Sequence, residues 1–149
     1  MLSKDFREFI DALNSNEVRY LVLGAYALAL HGHPRYTKDL DVWIENHPEN
    51  IVKVLAALDK FGFGSVGISS ADLSEGGMVV QLGYPPNRID LLNSPSGVEF
   101  DECFPARMEI EVDGLTIPVI DVENLKKNKR AAGRLQDLAD VEALETLNS

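Results

Sequence analysis

Two aspartates separated by one residue, Asp39 and Asp41, sit at the start of the stretch Asp39-Leu40-Asp41-Val42-Trp43-Ile44. That stretch alternates as a β-strand does. Side chains along a strand point to opposite faces with period two. Asp39, Asp41 and Trp43 therefore share one face, and Leu40, Val42 and Ile44 share the other. The apolar set can enter a core while two carboxylates stand side by side. Carboxylates held that close raise each other's pKa unless a cation lies between them. Mg²⁺ or Mn²⁺ takes oxygen ligands of this kind and completes its shell with water and substrate phosphates. A third carboxylate is offered by Asp90, in Arg88-Ile89-Asp90-Leu91-Leu92. It lies on the face opposite Ile89 and Leu91, and an Asp inside an apolar strand is costly to bury without a partner.

Phosphate-binding features surround the pair. Tyr20-Leu21-Val22-Leu23 reads as a buried strand broken by Gly24, and Ala25 to Leu30 is rich in helix formers. A glycine at a strand-to-helix turn lets backbone approach a ligand and leaves helix N–H groups for an anion. By itself Gly24 would read as an ordinary turn glycine. Arg35 and Thr37 precede the Asp strand, where an Arg can fork onto phosphate and a Thr hydroxyl can orient an Asp. Without further context they read equally well as a solvated loop. His31 and His33 lack companions at metal-ligand spacing, so His31 is expected to pack or hydrogen-bond locally.

Taken together, Leu21-Val22-Leu23, Gly24-Ala25, the helix through His31-Gly32, and Arg35-x-Thr37-x-Asp39-x-Asp41 resemble the nucleotidyltransferase superfamily that includes DNA polymerase beta. The match is closest to its small bacterial branch of AbiEii-like and toxin nucleotidyltransferases. A closing segment adds Leu125, Lys129, Ala132, Arg134, Asp137 and Asp140 at the family's spacing. The resemblance implies a mixed, twisted sheet of about five strands flanked by helices, an α/β (α+β) palm-like fold. It implies transfer of a nucleoside monophosphate from a nucleoside triphosphate to an acceptor hydroxyl, on an RNA end such as that of tRNA, a protein or a small molecule. Asp39, Asp41 and Asp90 would hold the metal and do the chemistry. Gly24, Ala25, Arg35, Thr37 and Lys129 would bind the nucleotide, and Arg134, Asp137 and Asp140 would fix the last helix against the sheet. Ala25 departs from the family, which usually has Gly or Ser there; a backbone N–H remains but no hydroxyl. That departure is what favours the alternative, a catalytically degenerate nucleotide-binding or protein-interaction module of a toxin–antitoxin pair. A homodimer or an antitoxin-like protein are the associations considered.

The 149 residues are enough for one domain with its own core, expected over 1–149 with 121–149 as closing helices. The formal net charge of −10 gives no general attraction to extended nucleic acid. One cysteine, Cys103, excludes an internal disulfide and suits a reducing compartment. The first residues, MLSKDFREF, lack the apolar core of a secretory signal, and no stretch is long enough to span a bilayer. A cytoplasmic location is expected.

The remaining elements frame these residues. Ser3 caps a helix whose stripe is Phe6, Phe9, Ile10 and Leu13. Ile51, Val54, Leu55, Leu58 and Phe61 form a second amphipathic helix after Pro48. Gly62 to Gly77 reads as a connector. Met78–Leu82 and Arg88–Leu92 form a hairpin, and Asp113-Gly114 turns another between Arg107–Val112 and Leu115–Ile120. Asp121 caps a helix over Val122–Lys129, and Leu135, Leu138, Val141, Leu144 and Leu147 are the expected apolar face of the last helix.

Overall fold

A computed structural model describes residues 2–33, 39–61, 67–83 and 88–147. Helix α1 (Lys4–Ser15) starts at Ser3, whose hydroxyl accepts from Phe6 N at 3.2 Å. Its predicted stripe is fully buried. Strand β1 (Tyr20–Leu23) leads directly into α2 (Gly24–Leu30), and β2 (Asp39–Ile44) follows. Next come α3 (Pro48–Phe61), a short α4 (Ser70–Ser74), β3 (Val79–Leu82) and β4 (Arg88–Leu92). The chain finishes with α5 (Phe100–Cys103), β5 (Met108–Val112), β6 (Leu115–Val119), α6 (Val122–Ala132) and α7 (Leu135–Leu147).

The strands form one mixed sheet of six, in the order β3-β4-β2-β1-β6-β5. This is one strand more than the sequence suggested, because both hairpins join the same sheet as the central pair. β1 runs antiparallel to β2 and parallel to β6, and β2 runs parallel to β4. The two hairpins, β3–β4 and β5–β6, are antiparallel and supply the edges.

All of β1 is buried, as are Leu40, Val42 and Ile44 of β2. α1 packs on α3 through an edge-on contact of Phe9 with Phe61. Asn50 is a buried polar side chain in α3 with its hydrogen bonds made. It accepts from Arg19 N and donates to the Arg19 and Glu45 carbonyls, which ties α3 to the start of β1 and the end of β2. Without those partners its burial would destabilise the fold by about 1–3 kcal/mol. His31 bonds a distant strand end rather than a local group, with Nε2 donating to the Ile120 carbonyl at 2.6 Å. That bond joins the end of α2 to the end of β6.

Three expectations change. The connector after α3 contains α4, which begins with a capping box: Asp72 N donates to Ser69 Oγ, and Ser69 N to Asp72 Oδ2. Trp43, on the carboxylate face, is 1% exposed, because Phe100 of α5 covers it edge-on at 5.2 Å. Finally, Leu135 and Leu138 of α7 face outward, at 89% and 47% exposure. The inward side is Asp137, Asp140, Val141 and Leu144. A buried lysine, described below, attracts the two aspartates and so rotates the first turns of the helix away from the apolar pattern.

Candidate functional site

The sheet register assembles the site. Leu23, the last residue of β1, lies opposite Asp41. The chain therefore leaves the sheet at Gly24 directly beside the Asp41 carboxylate. Gly24 has φ +64°, and a Cβ there would fall inside the van der Waals envelope of Asp41 Oδ2. Glycine is required twice over, by the left-handed backbone and by the close carboxylate. On the other side of β2, the parallel register pairs Asp41 with Asp90 and Asp39 with Arg88. Asp39, Asp41 and Asp90 thus occupy one patch on two neighbouring strands.

The patch is electrostatically tense. The Asp41 pKa is pushed up to about 6, first by burial, then by Asp90 and Asp39, with Lys129 and Arg134 opposing. Asp90 is raised as well, chiefly by burial, while Arg88 pulls the other way. Asp41 and Asp90 lie within hydrogen-bonding reach when one of them carries a proton. With both ionised, Asp90 Oδ1 is buried and, among the described residues, has no donor facing it. Hard oxygen donors, mutual repulsion and an orphaned carboxylate oxygen are what a divalent cation would relieve, so the residues suit Mg²⁺ or Mn²⁺. Among the described residues, though, no three acidic, His or Cys side chains already converge as a metal cage. Part of the reason is Arg88, whose Nη2 lies 3.4 Å from Asp39 Oδ2 and 3.8 Å from Asp90 Oδ2.

Asp41 and Asp90 open into a cavity of about 280 Å³ between the sheet and the α6–α7 corner. Gly24, Lys129, Arg134 and Asp137 also line it. Lys129 thus lines the cavity but is already engaged. Its Nζ donates to Asp140 Oδ2 at 2.9 Å and lies 3.8 Å from Asp137 Oδ1. The side chain is 8% exposed. Arg134 donates from backbone N and from Nε to Asp137 Oδ2, which holds the Asp137 carboxyl below its ordinary range. Asp137 and Asp140 fix α7 to α6 through Lys129, and Arg134 holds Asp137 at the start of α7, where the expectation had all three fixing the helix against the sheet. Arg134 is nonetheless 80% exposed along its side chain and fronts the cavity. It is thus the more accessible cation there, a role its spacing alone did not reveal.

Ala25 is the second residue of α2, whose N-cap, Leu23, has no side chain able to bond the first-turn N–H groups. Arg35 and Thr37 lie outside the described residues. Arg88 was overlooked by sequence reasoning. The available signal was its position two residues before Asp90 on the same strand face. Roomier hollows exist around Trp43 and Phe100, of about 350 Å³, and beside the β5–β6 hairpin, of about 530 Å³. Neither is lined by Asp41, Asp90 or the strand-to-helix glycine Gly24, so chemistry rather than size selects the smaller one.

No curated protein matches the sequence significantly. Among solved structures, the chain is similar to a protein from Thermotoga maritima assigned as a nucleotidyltransferase, with 19% identity and a TM-score of 0.57. That alignment covers 96% of this chain and 88% of the other. It is also similar to the lincosamide antibiotic adenylyltransferase LnuA, solved with lincomycin bound, with 14% identity, a TM-score of 0.57 and 97% of each chain covered. At these identities the likeness establishes the fold, a mixed sheet flanked by helices. The family model described as nucleotidyltransferase of unknown function (DUF6036) matches residues 2–149, nearly the whole chain. The glycine turn and the strand-borne aspartates are thus parts of a chain that belongs to the DUF6036 family of nucleotidyltransferases.

Proposed function

We propose that this chain catalyses metal-dependent transfer of a nucleoside monophosphate from a nucleoside triphosphate to the hydroxyl of a small-molecule acceptor. The carrying observation is the Asp41 carboxylate, wedged against Gly24 and paired with Asp90, with its pKa pushed up to about 6. Asp39, Asp41 and Asp90 are the proposed ligands of Mg²⁺ or Mn²⁺. Such an ion, when bound, would neutralise triphosphate charge and favour ionisation of the acceptor hydroxyl. Asp90, with an unpaired buried oxygen, would take the acceptor's proton. Backbone N–H groups of Gly24 and Ala25 would hold phosphate oxygens, assisted by Arg35 and Thr37. Lys129 would act on the phosphates at longer range, through its charge, since Asp140 holds its ammonium. Catalysis would rest on positioning and charge stabilisation.

The net charge of −10 supports a small acceptor over extended nucleic acid, which needs Lys and Arg contacts along its backbone. The LnuA structure gives one example of this fold with a small antibiotic bound. A tRNA end or a protein hydroxyl are the other acceptors to screen. We take residues 1–149 as one functional domain acting in the cytoplasm. The single cysteine is buried, and among the described residues no helix is long and apolar enough to cross a membrane. The second reading is a catalytically degenerate nucleotide-binding or protein-interaction module of a toxin–antitoxin pair. It is favoured by Ala25 and by the engagement of Lys129 with α7. The discriminating experiment incubates the protein with Mg²⁺ and α-labelled nucleoside triphosphates against small hydroxylated compounds, bulk tRNA and protein. Label transfer that disappears in Asp39→Asn supports the enzyme. Triphosphate binding with no transfer to any acceptor supports the module.

A further inference from the structure

Arg88 holds a position that the proposed chemistry leaves unused. It opens β4 opposite Asp39 and shares a face with Asp90. One nitrogen, Nη2, is divided between Asp39 Oδ2 at 3.4 Å and Asp90 Oδ2 at 3.8 Å. A guanidinium satisfied by a carboxylate normally makes a bidentate pair at shorter range. Here the pairs are long and single-ended, and the side chain is 35% exposed. The Nε–H is buried and, among the described residues, meets no acceptor. Arg88 is thus a permanent cation, weakly attached to two carboxylates, with a donor still unspent.

We infer that Arg88 is the built-in counter-ion of the carboxylate patch. It yields Asp39 and Asp90 to the metal when the metal–triphosphate complex arrives, and then turns its Nε and Nη fork onto the phosphates. The inference rests on the proposed metal–nucleotide site. A divalent ion held by Asp39 and Asp90 must lie within a few ångströms of the present guanidinium, because Arg88 already touches both carboxylates. A divalent ion there repels the guanidinium and draws on the same carboxylate charge, so the metal and Arg88 compete while the site holds metal alone. Once phosphates are bound, their oxygens offer the displaced guanidinium a better acceptor than either carboxylate gave it. Arg88 therefore opposes binding of bare metal and favours binding of metal with triphosphate, so that the site fills in one event.

The test measures Mn²⁺ binding directly, by the electron paramagnetic resonance signal of the free ion, with and without each nucleoside triphosphate. It uses the wild type, Arg88→Gln, Arg88→Lys and Asp41→Asn, with circular dichroism to confirm folding. Arg88→Gln should bind bare Mn²⁺ about three- to fivefold more tightly, the size of an exposed ion pair lost. It should bind Mn²⁺ with triphosphate about tenfold or more weakly, the size of a charged hydrogen bond lost. Arg88→Lys, which keeps the charge and loses the fork, should restore weak bare-metal binding without restoring triphosphate affinity. If Arg88→Gln moves both affinities in the same direction, or leaves bare-metal binding unchanged, the inference is overturned, while Asp41-dependent Mn²⁺ binding by the wild type would leave the metal site standing. No Asp41-dependent binding of Mn²⁺ by the wild type under any condition overturns both.

Discussion

Asp41→Asn should make the metal-free protein more stable while abolishing nucleotidyl transfer. Burial and two neighbouring carboxylates lift the Asp41 pKa from 3.8 to about 6. A raised folded-state pKa means that the group is favourable while protonated and that this stability is lost as pH rises through about 6. The shift of about two units corresponds to about 3 kcal/mol of strain in the ionised form. Asparagine keeps the shape, removes the charge and can donate its amide to Asp90. In EDTA, the variant and the wild type should melt at similar temperatures near pH 4. By pH 8 the variant should be ahead by about 6–12 °C, using about 2–4 °C per kcal/mol for a chain of this size. Saturating Mg²⁺ should narrow the gap, because only the wild type gains from binding it. Carboxylates elsewhere, such as Asp137, which Arg134 holds low, have pH slopes of their own. The difference between the two proteins cancels those. A difference that does not change with pH, or a variant less stable at pH 8, would refute the electrostatic reading of the patch.

Further outcomes follow from neighbouring residues. Gly24→Ala should lose stability by about 1–2 kcal/mol from its left-handed backbone alone. It should also lose transfer activity, since the new Cβ must displace the Asp41 carboxylate; wild-type kcat in a folded Gly24→Ala protein would contradict the contact. Lys129→Met should destabilise by about 1.5–3 kcal/mol, because the buried Asp137 and Asp140 carboxylates lose the ammonium between them while keeping their Arg134 and Gln136 donors. Adding Asp140→Asn should recover part of that loss in denaturant melts, and full additivity would show that the pair is not coupled. Leu135→Ser and Leu138→Ser should each change the unfolding free energy from urea melts by no more than about 0.5 kcal/mol, as exposed positions do. A larger loss would return those residues to the core.

How much of this was legible in the sequence depends on the range of the interaction. Asp39, Asp41 and Asp90 could be found because strand alternation is local and an Asp among Leu and Ile is conspicuous. Gly24 could be found as a turn. That the same glycine makes room for Asp41 could not, since it depends on Leu23 falling opposite Asp41 in the β1–β2 register. Arg88 was hidden for the same reason: its opposition to Asp39 depends on the β2–β4 register. The inner face of α7 was misread because apolar spacing at Leu135 and Leu138 competes with a buried lysine one helix away, and the charge pairing prevails at that end. Val141 and Leu144, beyond the lysine's reach, follow the apolar pattern. Trp43 was placed on the correct face, but its burial comes from Phe100, 57 residues later in the chain.

The most direct test of the central claim is thermal unfolding of the wild type and Asp39→Asn, with Mg²⁺ and each of the four ribonucleoside triphosphates in turn. A ligand at about 100 times its dissociation constant stabilises the native state by about 2.7 kcal/mol, or roughly 5–10 °C here. A shift of that order should appear in the wild type with at least one triphosphate, require the metal, and vanish in Asp39→Asn. No shift at millimolar triphosphate, or an equal shift in the variant, would contradict a nucleotide site built on these carboxylates.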